Sequence, residues 1–313
     1  MTFDCVNHMS FPLLASTFAN NILPIILLSG AGFALGKALH IDPRSLGRVV
    51  FYIFSPVLIF DLLLQNQLKI SEAAIVIVFA LCFILTIGAL TFLIGYFLKL
   101  ERSALVAILI TTMFANTGNY GLPLVSFAFG EQALSYAGIY FVTTTLLFYT
   151  LGVFLASLGH MSFREAILGL FKIPTLYAVL LAVLLNVLRV EIPTPVARAV
   201  ELAAGGTIPL MLILLGVQLT QVEFSGNARA MQLSVALRLV VAPLAALLFA
   251  GLFGLQGFPR QVSVTQASMP SMVSATVLAA EYNLDSRLVT AVVFISTLLS
   301  PFTLTPLLVF LGR

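Results

Sequence analysis

Apolar stretches of about 20 residues, separated by short polar connections, form the pattern of this chain. A helix needs about that length of apolar sequence to cross a bilayer. Ten such spans can be marked, and the connections between them are too short to hold a soluble domain. The predicted spans cover residues 11–36, 46–68, 73–98, 103–129, 131–158, 166–188, 196–220, 230–254, 260–282 and 287–311. The pattern predicts an all-α polytopic membrane protein in which residues 1–313 form a single transmembrane domain.

Polar and helix-breaking residues interrupt the fourth predicted span between Thr111 and Pro123. The chain carries no charge between Arg102 and Glu131, so the middle of that interval, at Asn116, is expected near the middle of the membrane. Two glycines and a proline make a continuous helix here less stable than an alanine helix by about 5 kcal/mol. Irregular backbone at that depth persists only where it is buried in protein or lines a wet cavity. We therefore predict a broken helix, in which Pro123 provides the constraint that ends a half-helix.

The ninth predicted span has a similar interruption, with Pro270 midway between Arg260 and Glu281. A proline frees a carbonyl one turn earlier and leaves the next half-helix with exposed N-terminal amides. Two such breaks meeting in mid-membrane would surround one point with amides and positive dipole ends, which predicts an anion site that contains no formal charge. The alternative is a pair of kinked helices with small residues at their crossing. The candidate substrate-binding residues are Asn116, Thr117, Gly118, Asn119, Gly121, Pro123, Gln266, Met269, Pro270, Ser271 and Ser274.

The two interruptions fall in corresponding places of the two halves of the chain. Five spans per half make the second half enter the membrane from the opposite side, so we predict an inverted repeat, with repeat one at 11–158 and repeat two at 166–311. Paired interrupted segments in two halves are the sequence feature that best indicates a transporter site. The matching positions are Pro56 with Pro209, Asn116 with Pro270, Glu131 with Asp285, and Thr145-Leu146-Leu147 with Thr297-Leu298-Leu299.

Composition agrees with the span pattern and excludes several classes. The chain is 60% hydrophobic and 9% charged, whereas soluble domains are about 25% charged. The net charge of +3 comes from scattered loop residues, with no run that would bind nucleic acid. Cys5 and Cys82 suggest no disulfide framework, and neither a metal cluster nor a cofactor motif is present. The first ten residues contain Asp4 and no Lys or Arg, so we expect the first apolar segment to stay as a span.

The distribution of Lys and Arg predicts an orientation. With the N-terminus outside, nine of these residues fall at inner ends and five at outer ends, which favours both termini outside. The inner residues would be Lys37, Arg44, Arg48, Lys99, Arg102, Arg164, Lys172, Arg229 and Arg287.

Three charged residues within the predicted spans are candidates for a functional role. Asp61 and Glu201 are candidates for ion coupling, because intramembrane acids are rare and functional, although both are also placed near an outer interface. Arg238 lies about eight residues into the eighth span, from where it can snorkel to the inner surface; the alternative is that it neutralises a bound anion. Gln218 and Gln266 could donate to a substrate or bond each other.

An enzyme is not indicated by the sequence. His8, His40 and His160 all lie outside the spans, and neither a Gly-x-Ser-x-Gly motif nor a phosphate-binding glycine loop with lysine is present. The competing hypothesis to transport is a membrane receptor that binds a solute in the same fold without moving it.

Several motifs in order resemble the auxin efflux carrier family, which includes the plant PIN transporters and bacterial carboxylate carriers. They are Asn116-Thr117 with Gly121-Leu122-Pro123, Leu215-Gly216, Arg238 to Pro243, Gln266 to Pro270, and Glu281-Tyr282-Asn283. The resemblance extends from about the fourth span onward and is weaker over spans 1 to 3. The long cytoplasmic loop of the plant members between spans 5 and 6 is missing here.

The resemblance implies a ten-helix inverted-repeat fold like that of the bile acid sodium symporters, with spans 4 and 9 crossing at their breaks. It also implies a scaffold of spans 1, 2, 6 and 7 and a moving transport domain of spans 3–5 and 8–10. From the motifs and the neutral, amide-rich breaks we predict a secondary carrier of small organic anions, auxin-like or dicarboxylate such as malonate, that works by an elevator motion in the inner (plasma) membrane. A sodium-coupled symporter of the bile acid type and a homodimer formed through the scaffold helices are kept as alternatives.

Overall fold

The computed structural model of the chain describes residues 10–65, 69–157, 164, 168–221 and 228–312. The predicted span ends at 68, 158 and 166, together with Cys5, His8 and His160, lie outside these described residues.

The described residues are built from helices, each of which falls in one of the predicted spans. α1 is Phe11–Leu39, α2 Pro43–Gln65, α3 Ile70–Phe97 and α4a Arg102–Met113. α4b covers 117–129 and α5 covers 131–156. α6 is Pro174–Leu188, α7 Thr194–Leu219, α8 Ala228–Leu252, α9a Gly257–Ala267, α9b Ser274–Glu281 and α10 Ser286–Leu311.

Seven of the described helical runs are long and apolar enough to cross a membrane, counting Thr117–Ala156 as one. Gly130 divides that run, because its φ of 80° and ψ of −175° are not helical. A positive φ of this size suits glycine, since a Cβ would clash with the backbone. α4a and α6 are shorter apolar helices. Many large apolar side chains point outward, Leu202 and Phe302 among them, as expected where lipid is the solvent.

Local sequence explains where several helices begin. The Asp42 carboxylate accepts hydrogen bonds from the amides of Arg44 and Ser45, both at 3.1 Å, and Pro43 occupies the first turn of α2. At α10, the Asp285 carboxylate accepts from the Leu288 amide at 3.0 Å. Acidic N-caps with an early proline are common helix starts.

α1, α2, α6 and α7 pack extensively against one another. The backbones of α1 and α7 touch: a Cβ at Gly216 would overlap the Ser29 carbonyl, and one at Gly32 would overlap the Ile213 carbonyl. Small residues allow this approach in membrane helices. Asn186 of α6 donates its Nδ2 to the carbonyl of Leu63 at 2.8 Å, which ties α6 to α2.

A second group contains α3, α4a, α4b, α5, α8, α9a, α9b and α10, which enclose a buried centre. Thr91 of α3 and Thr112 of α4a share a hydroxyl hydrogen bond of 3.0 Å, and Ser300 of α10 bonds the Tyr120 hydroxyl at 3.2 Å. The two groups meet where α7 contacts the start of α4b, where α2 contacts α5, and where α1 contacts α10.

Candidate functional site

Two helices are interrupted in the buried centre of the second group. α4a ends at Met113 and α4b begins at Thr117, while α9a ends at Ala267 and α9b begins at Ser274. Both interruptions fall within the stretches that the sequence predicts to break. Every residue from 111 to 118 is buried, as is every residue from 262 to 271. The irregular backbone is therefore shielded from lipid, which membrane proteins require.

The two breaks pair with each other through their backbones. Ala115 and Ser271 form an isolated antiparallel bridge. The Asn116 amide donates to the Pro270 carbonyl at 2.8 Å, and the Met272 amide donates to the Phe114 carbonyl at 3.0 Å. Each break thus satisfies polar groups that the other has freed, which lowers the cost of leaving the helix at this depth.

Hydroxyl groups hold this junction to its neighbours. The Ser271 hydroxyl donates to the Thr111 carbonyl at 2.8 Å, and the Ser271 amide donates to the Ser296 hydroxyl of α10 at 3.1 Å. Thr111 also shares a 2.8 Å hydrogen bond with Ser234 of α8. The hydroxyl of Ser271, which the sequence predicted as a substrate ligand, is therefore hydrogen-bonded to the backbone of the opposite break.

Three side chains at the junction carry polar atoms that are buried and have no hydrogen-bond partner among the described residues. They are Nδ2 of Asn116, Oγ1 of Thr117 and both carboxamide atoms of Gln266, on side chains that are 4%, 0% and 0% exposed. A Cβ at Gly121 would overlap the Gln266 carboxamide, so the two breaks face each other here as well. A buried polar group without a partner costs about 1–3 kcal/mol. These atoms are available to a polar ligand.

Backbone amides that could donate to a ligand at the junction come from α4b more than from α9b. In α9b the amides of Ala275 and Thr276 bond the nearby carbonyls of Met272 and Val273, at 3.1 and 3.0 Å. α4b begins with a wide turn in which the Gly121 amide bonds the Asn116 carbonyl at 3.0 Å. At the start of this turn the Thr117 amide bonds the Ala115 carbonyl at 2.8 Å, and the three amides between Thr117 and Gly121 have no helical carbonyl behind them. The sequence predicted exposed N-terminal amides at both half-helices, but in α9b the amides of Ala275 and Thr276 are already hydrogen-bonded.

Pro123 is not at the break, contrary to the prediction that it ends a half-helix. It lies inside α4b, seven residues after Asn116, near the start of the regular helix. A proline in the first turn of a helix removes no needed hydrogen bond, so it is tolerated there. The backbone pairing of residues 114–116 with residues 270–272 sets the position of the break instead. Pro270 does lie within its break.

The remaining predicted ligands occupy different surroundings. Gly118 packs so closely on the Phe141 ring that a Cβ would come within 2.8 Å of it. The Asn119 carboxamide donates to Oε1 of Gln218 on α7 at 3.2 Å, which joins the two helix groups. Met269 is fully buried, and Ser274 is partly buried at the first position of α9b.

Arg238 does not snorkel to the surface as the sequence suggested. It is 0% exposed, and its guanidinium donates to three backbone carbonyls at the two breaks. Nε donates to Met269 at 2.6 Å, Nη1 donates to Thr112 at 2.9 Å, and Nη2 donates to Ala267. The sequence signal for this role, binding the carbonyls of both breaks, is the presence of a charged residue within an apolar span.

The two candidate coupling acids lie apart from the breaks. Asp61 is half-buried and accepts two hydrogen bonds from Nε2 of Gln65, at 2.8 and 2.9 Å, whereas Glu201 is exposed. Asp61 interacts electrostatically with Glu201 and Glu131. Glu131 follows the far end of α4b, about 20 Å along the helix from Thr117. These acids are therefore close enough to interact electrostatically, but they do not lie at the crossing.

Comparison with known proteins gives a consistent result. The family model described as "Membrane transport protein" matches residues 17–164 and 160–308. A protein of Methanothermobacter thermautotrophicus named "Uncharacterized transporter" is 30% identical over 282 residues, covering 90% of this chain and 93% of its own. A Rhizobium meliloti protein named "Putative malonate transporter" is 24% identical over 299 residues, covering 92% and 93%.

"Auxin efflux carrier component 1" of Arabidopsis thaliana is 28% identical over 120 residues, which cover 37% of this chain and 19% of the plant protein. The match to the family covers nearly the whole chain, including both helix breaks and Arg238. In agreement with the auxin efflux carrier motifs, this multi-pass membrane protein belongs to the membrane transport protein family.

Proposed function

We propose that this protein is a secondary transporter of small organic anions, with its binding site at the paired helix breaks. The observation that carries the proposal is the set of buried, unpartnered polar atoms on Asn116, Thr117 and Gln266 beside the N-terminus of α4b. Amide groups and a positive helix end suit a carboxylate better than a cation. The relative named as a malonate transporter supports a mono- or dicarboxylate substrate.

The proposed mechanism is an elevator motion in a ten-helix inverted repeat. α1, α2, α6 and α7 would form the scaffold, and α3–α5 with α8–α10 would move across the membrane with the site. Two observations support the division: each set packs extensively within itself, and the Gly216 contact locks α1 to α7. The Asn119–Gln218 hydrogen bond crosses between the two sets and would have to break during the motion. A homodimer through the scaffold remains a prediction, as does the orientation with both termini outside the inner membrane.

The test uses purified protein in proteoliposomes on a solid-supported membrane. Acetate, malonate, succinate and indole-3-acetate form the carboxylate panel, with ethylamine and choline as cations and protein-free liposomes as the control. Currents or uptake of labelled solute are expected with at least one carboxylate. Responses to the amines alone would overturn the proposal, and binding without flux would favour the receptor hypothesis.

Proton coupling is proposed to involve Asp61 or Glu201, the acids that lie in spans away from the loop ends. The double substitution Asp61→Asn with Glu201→Gln should flatten the dependence of uptake on external pH. Glu131→Gln is the matched control, because Glu131 is a neighbour of the same cluster but begins a helix at the surface. A pH profile identical to that of the wild type would exclude both acids from coupling.

A further inference from the structure

Arg238 is among the largest fully buried side chains of the described residues, and no acidic side chain among those residues pairs with its charge. An ion pair among the described residues joins Lys69 and Glu72, away from Arg238 in the sequence. The ionisable group that interacts with Arg238 is Tyr140, which is neutral in its ordinary state. A buried charge without a counter-ion is strongly unfavourable in a membrane protein and is characteristic of functional sites.

The carbonyls around Arg238 offset part of this charge and fix its position. Thr112 and Ala267 lie at the C-terminal ends of α4a and α9a, where helix dipoles are negative. Each C-terminal end carries about half a negative charge, so the two ends together offset most of the single positive charge of Arg238. The guanidinium therefore stabilises both broken ends, and without its charge these ends would leave negative potential at the junction, where an anion would bind.

The distance from Arg238 to the anion site follows from two hydrogen bonds to adjacent carbonyls. Nε bonds the Met269 carbonyl at 2.6 Å, and the carbonyl of the next residue, Pro270, accepts from the Asn116 amide at 2.8 Å. Since neighbouring Cα atoms are about 3.8 Å apart, the guanidinium lies within about 10 Å of Asn116. At that distance and an effective dielectric constant of 20, a unit positive charge strengthens anion binding on the order of ten-fold.

We propose that Arg238 is the specificity-determining charge of this site: it selects anions over neutral analogues of the same shape, acting from behind the two breaks rather than by contact. The inference deepens the proposed function and rests on it. It also corrects the expectation of an anion site without a formal charge, since the charge comes from α8 rather than from either broken helix.

The first test compares malonate with its neutral diamide, malonamide, in equilibrium titrations of purified wild-type, Arg238→Gln and Arg238→Lys proteins. Arg238→Gln keeps a donor for one carbonyl but removes the charge, so the preference for malonate should fall about ten-fold. Arg238→Lys keeps the charge, so the preference should stay within about three-fold of wild type, even though the loss of the forked contacts lowers thermal stability.

The second test neutralises the charge without removing Arg238. Ser234 lies one helical turn earlier on α8 and is fully buried, so a carboxylate in its place would face the guanidinium. Both Ser234→Asp and Ser234→Asn lose the hydroxyl bond to Thr111, so that structural change is common to the pair. Ser234→Asp should reduce the preference for malonate over malonamide about ten-fold, whereas the uncharged Ser234→Asn should keep that preference within about three-fold of wild type, whatever its effect on affinity for both compounds. This pair answers the question even if Arg238→Gln does not fold.

The outcomes separate the two proposals. If malonate does not bind, the tightest carboxylate of the panel and its amide replace the pair; a wild-type protein that binds no carboxylate overturns the proposed function itself. If the wild type prefers the carboxylate, and Arg238→Gln or Ser234→Asp keeps that preference in full, the role of Arg238 is structural and the inference alone fails. A preference lost equally in Ser234→Asp and Ser234→Asn also overturns it.

Discussion

Replacing Asn116 by alanine should weaken substrate binding without destabilising the empty protein. The reason is that Nδ2 of Asn116 has no partner among the described residues, while the amide bond from Asn116 to Pro270 belongs to the backbone and survives the substitution. A purely structural asparagine would show the opposite result, because its side-chain hydrogen bonds would be present in the empty protein.

The magnitudes follow from the geometry. Removing an unpartnered buried donor relieves about 1–3 kcal/mol, and the small void left by the carboxamide costs a similar amount, so the net change in stability should be within about 1 kcal/mol. A hydrogen bond to a charged ligand contributes about 1.5–3 kcal/mol. Affinity for the carboxylate should therefore fall about ten-fold to a hundred-fold. Asn116→Asp should weaken it further, because a carboxylate in the site repels an anion.

The assay pairs two measurements on detergent-purified protein: the melting temperature without ligand, and the dissociation constant for the carboxylate that the wild type binds best. Thr91→Val is the matched control, since it removes a hydroxyl that is buried and hydrogen-bonded to Thr112 at 3.0 Å. Its melting temperature should drop by about 2–4 °C, as expected for the loss of one hydrogen bond, while affinity stays at the wild-type value.

The reasoning is refuted if the two variants exchange their behaviour. An Asn116→Ala protein that melts several degrees below Thr91→Val in the absence of ligand, yet binds the carboxylate normally, would make Asn116 a packing residue. The kinked-helix explanation of residues 111–123 would then replace the anion site.

Two further predictions concern the backbone. Gly216→Ala should lower the melting temperature, because its Cβ would meet the Ser29 backbone, whereas Gly30→Ala on α1, with open space around it, should be neutral or stabilising by scanning fluorimetry. Pro270→Ala should reduce uptake in proteoliposomes by allowing α9a to extend through the break, whereas Pro123→Ala should retain near wild-type uptake. Uptake at the wild-type rate by both proline variants would show that neither residue maintains the broken helix.

The sequence was sufficient to predict what depends on local composition. Apolar lengths gave the helical spans, and the helix-breaking residues around Asn116 and Pro270 gave the two interruptions. The exact position of the first break was not predictable, because it depends on backbone pairing with a segment in the other half of the chain. For this reason Pro123 was placed wrongly, although it is the strongest helix breaker in its span.

Which of the candidate ligands already have hydrogen-bond partners within the protein also depends on tertiary contacts. Sequence cannot show that the Ser271 hydroxyl donates to the Thr111 carbonyl while the Thr117 hydroxyl has no hydrogen-bond partner among the described residues. The position of Arg238 near an end of its span favoured a surface role. Only the convergence of carbonyls from two distant breaks explains why its guanidinium points inward instead.

The pairing of the two breaks has a consequence for how the protein is made. Pro270 follows Asn116 by 154 residues, and at 5–20 residues per second the ribosome needs about 8–30 s to synthesise that interval. During this time the Phe114 carbonyl and the Asn116 amide lack the partners they have in the finished structure. Unpaired backbone groups in lipid cost several kcal/mol each, so the nascent first half should hold α4a and α4b as a more continuous helix. The break would then form only when the second half inserts, which makes assembly of the site a late step of membrane folding.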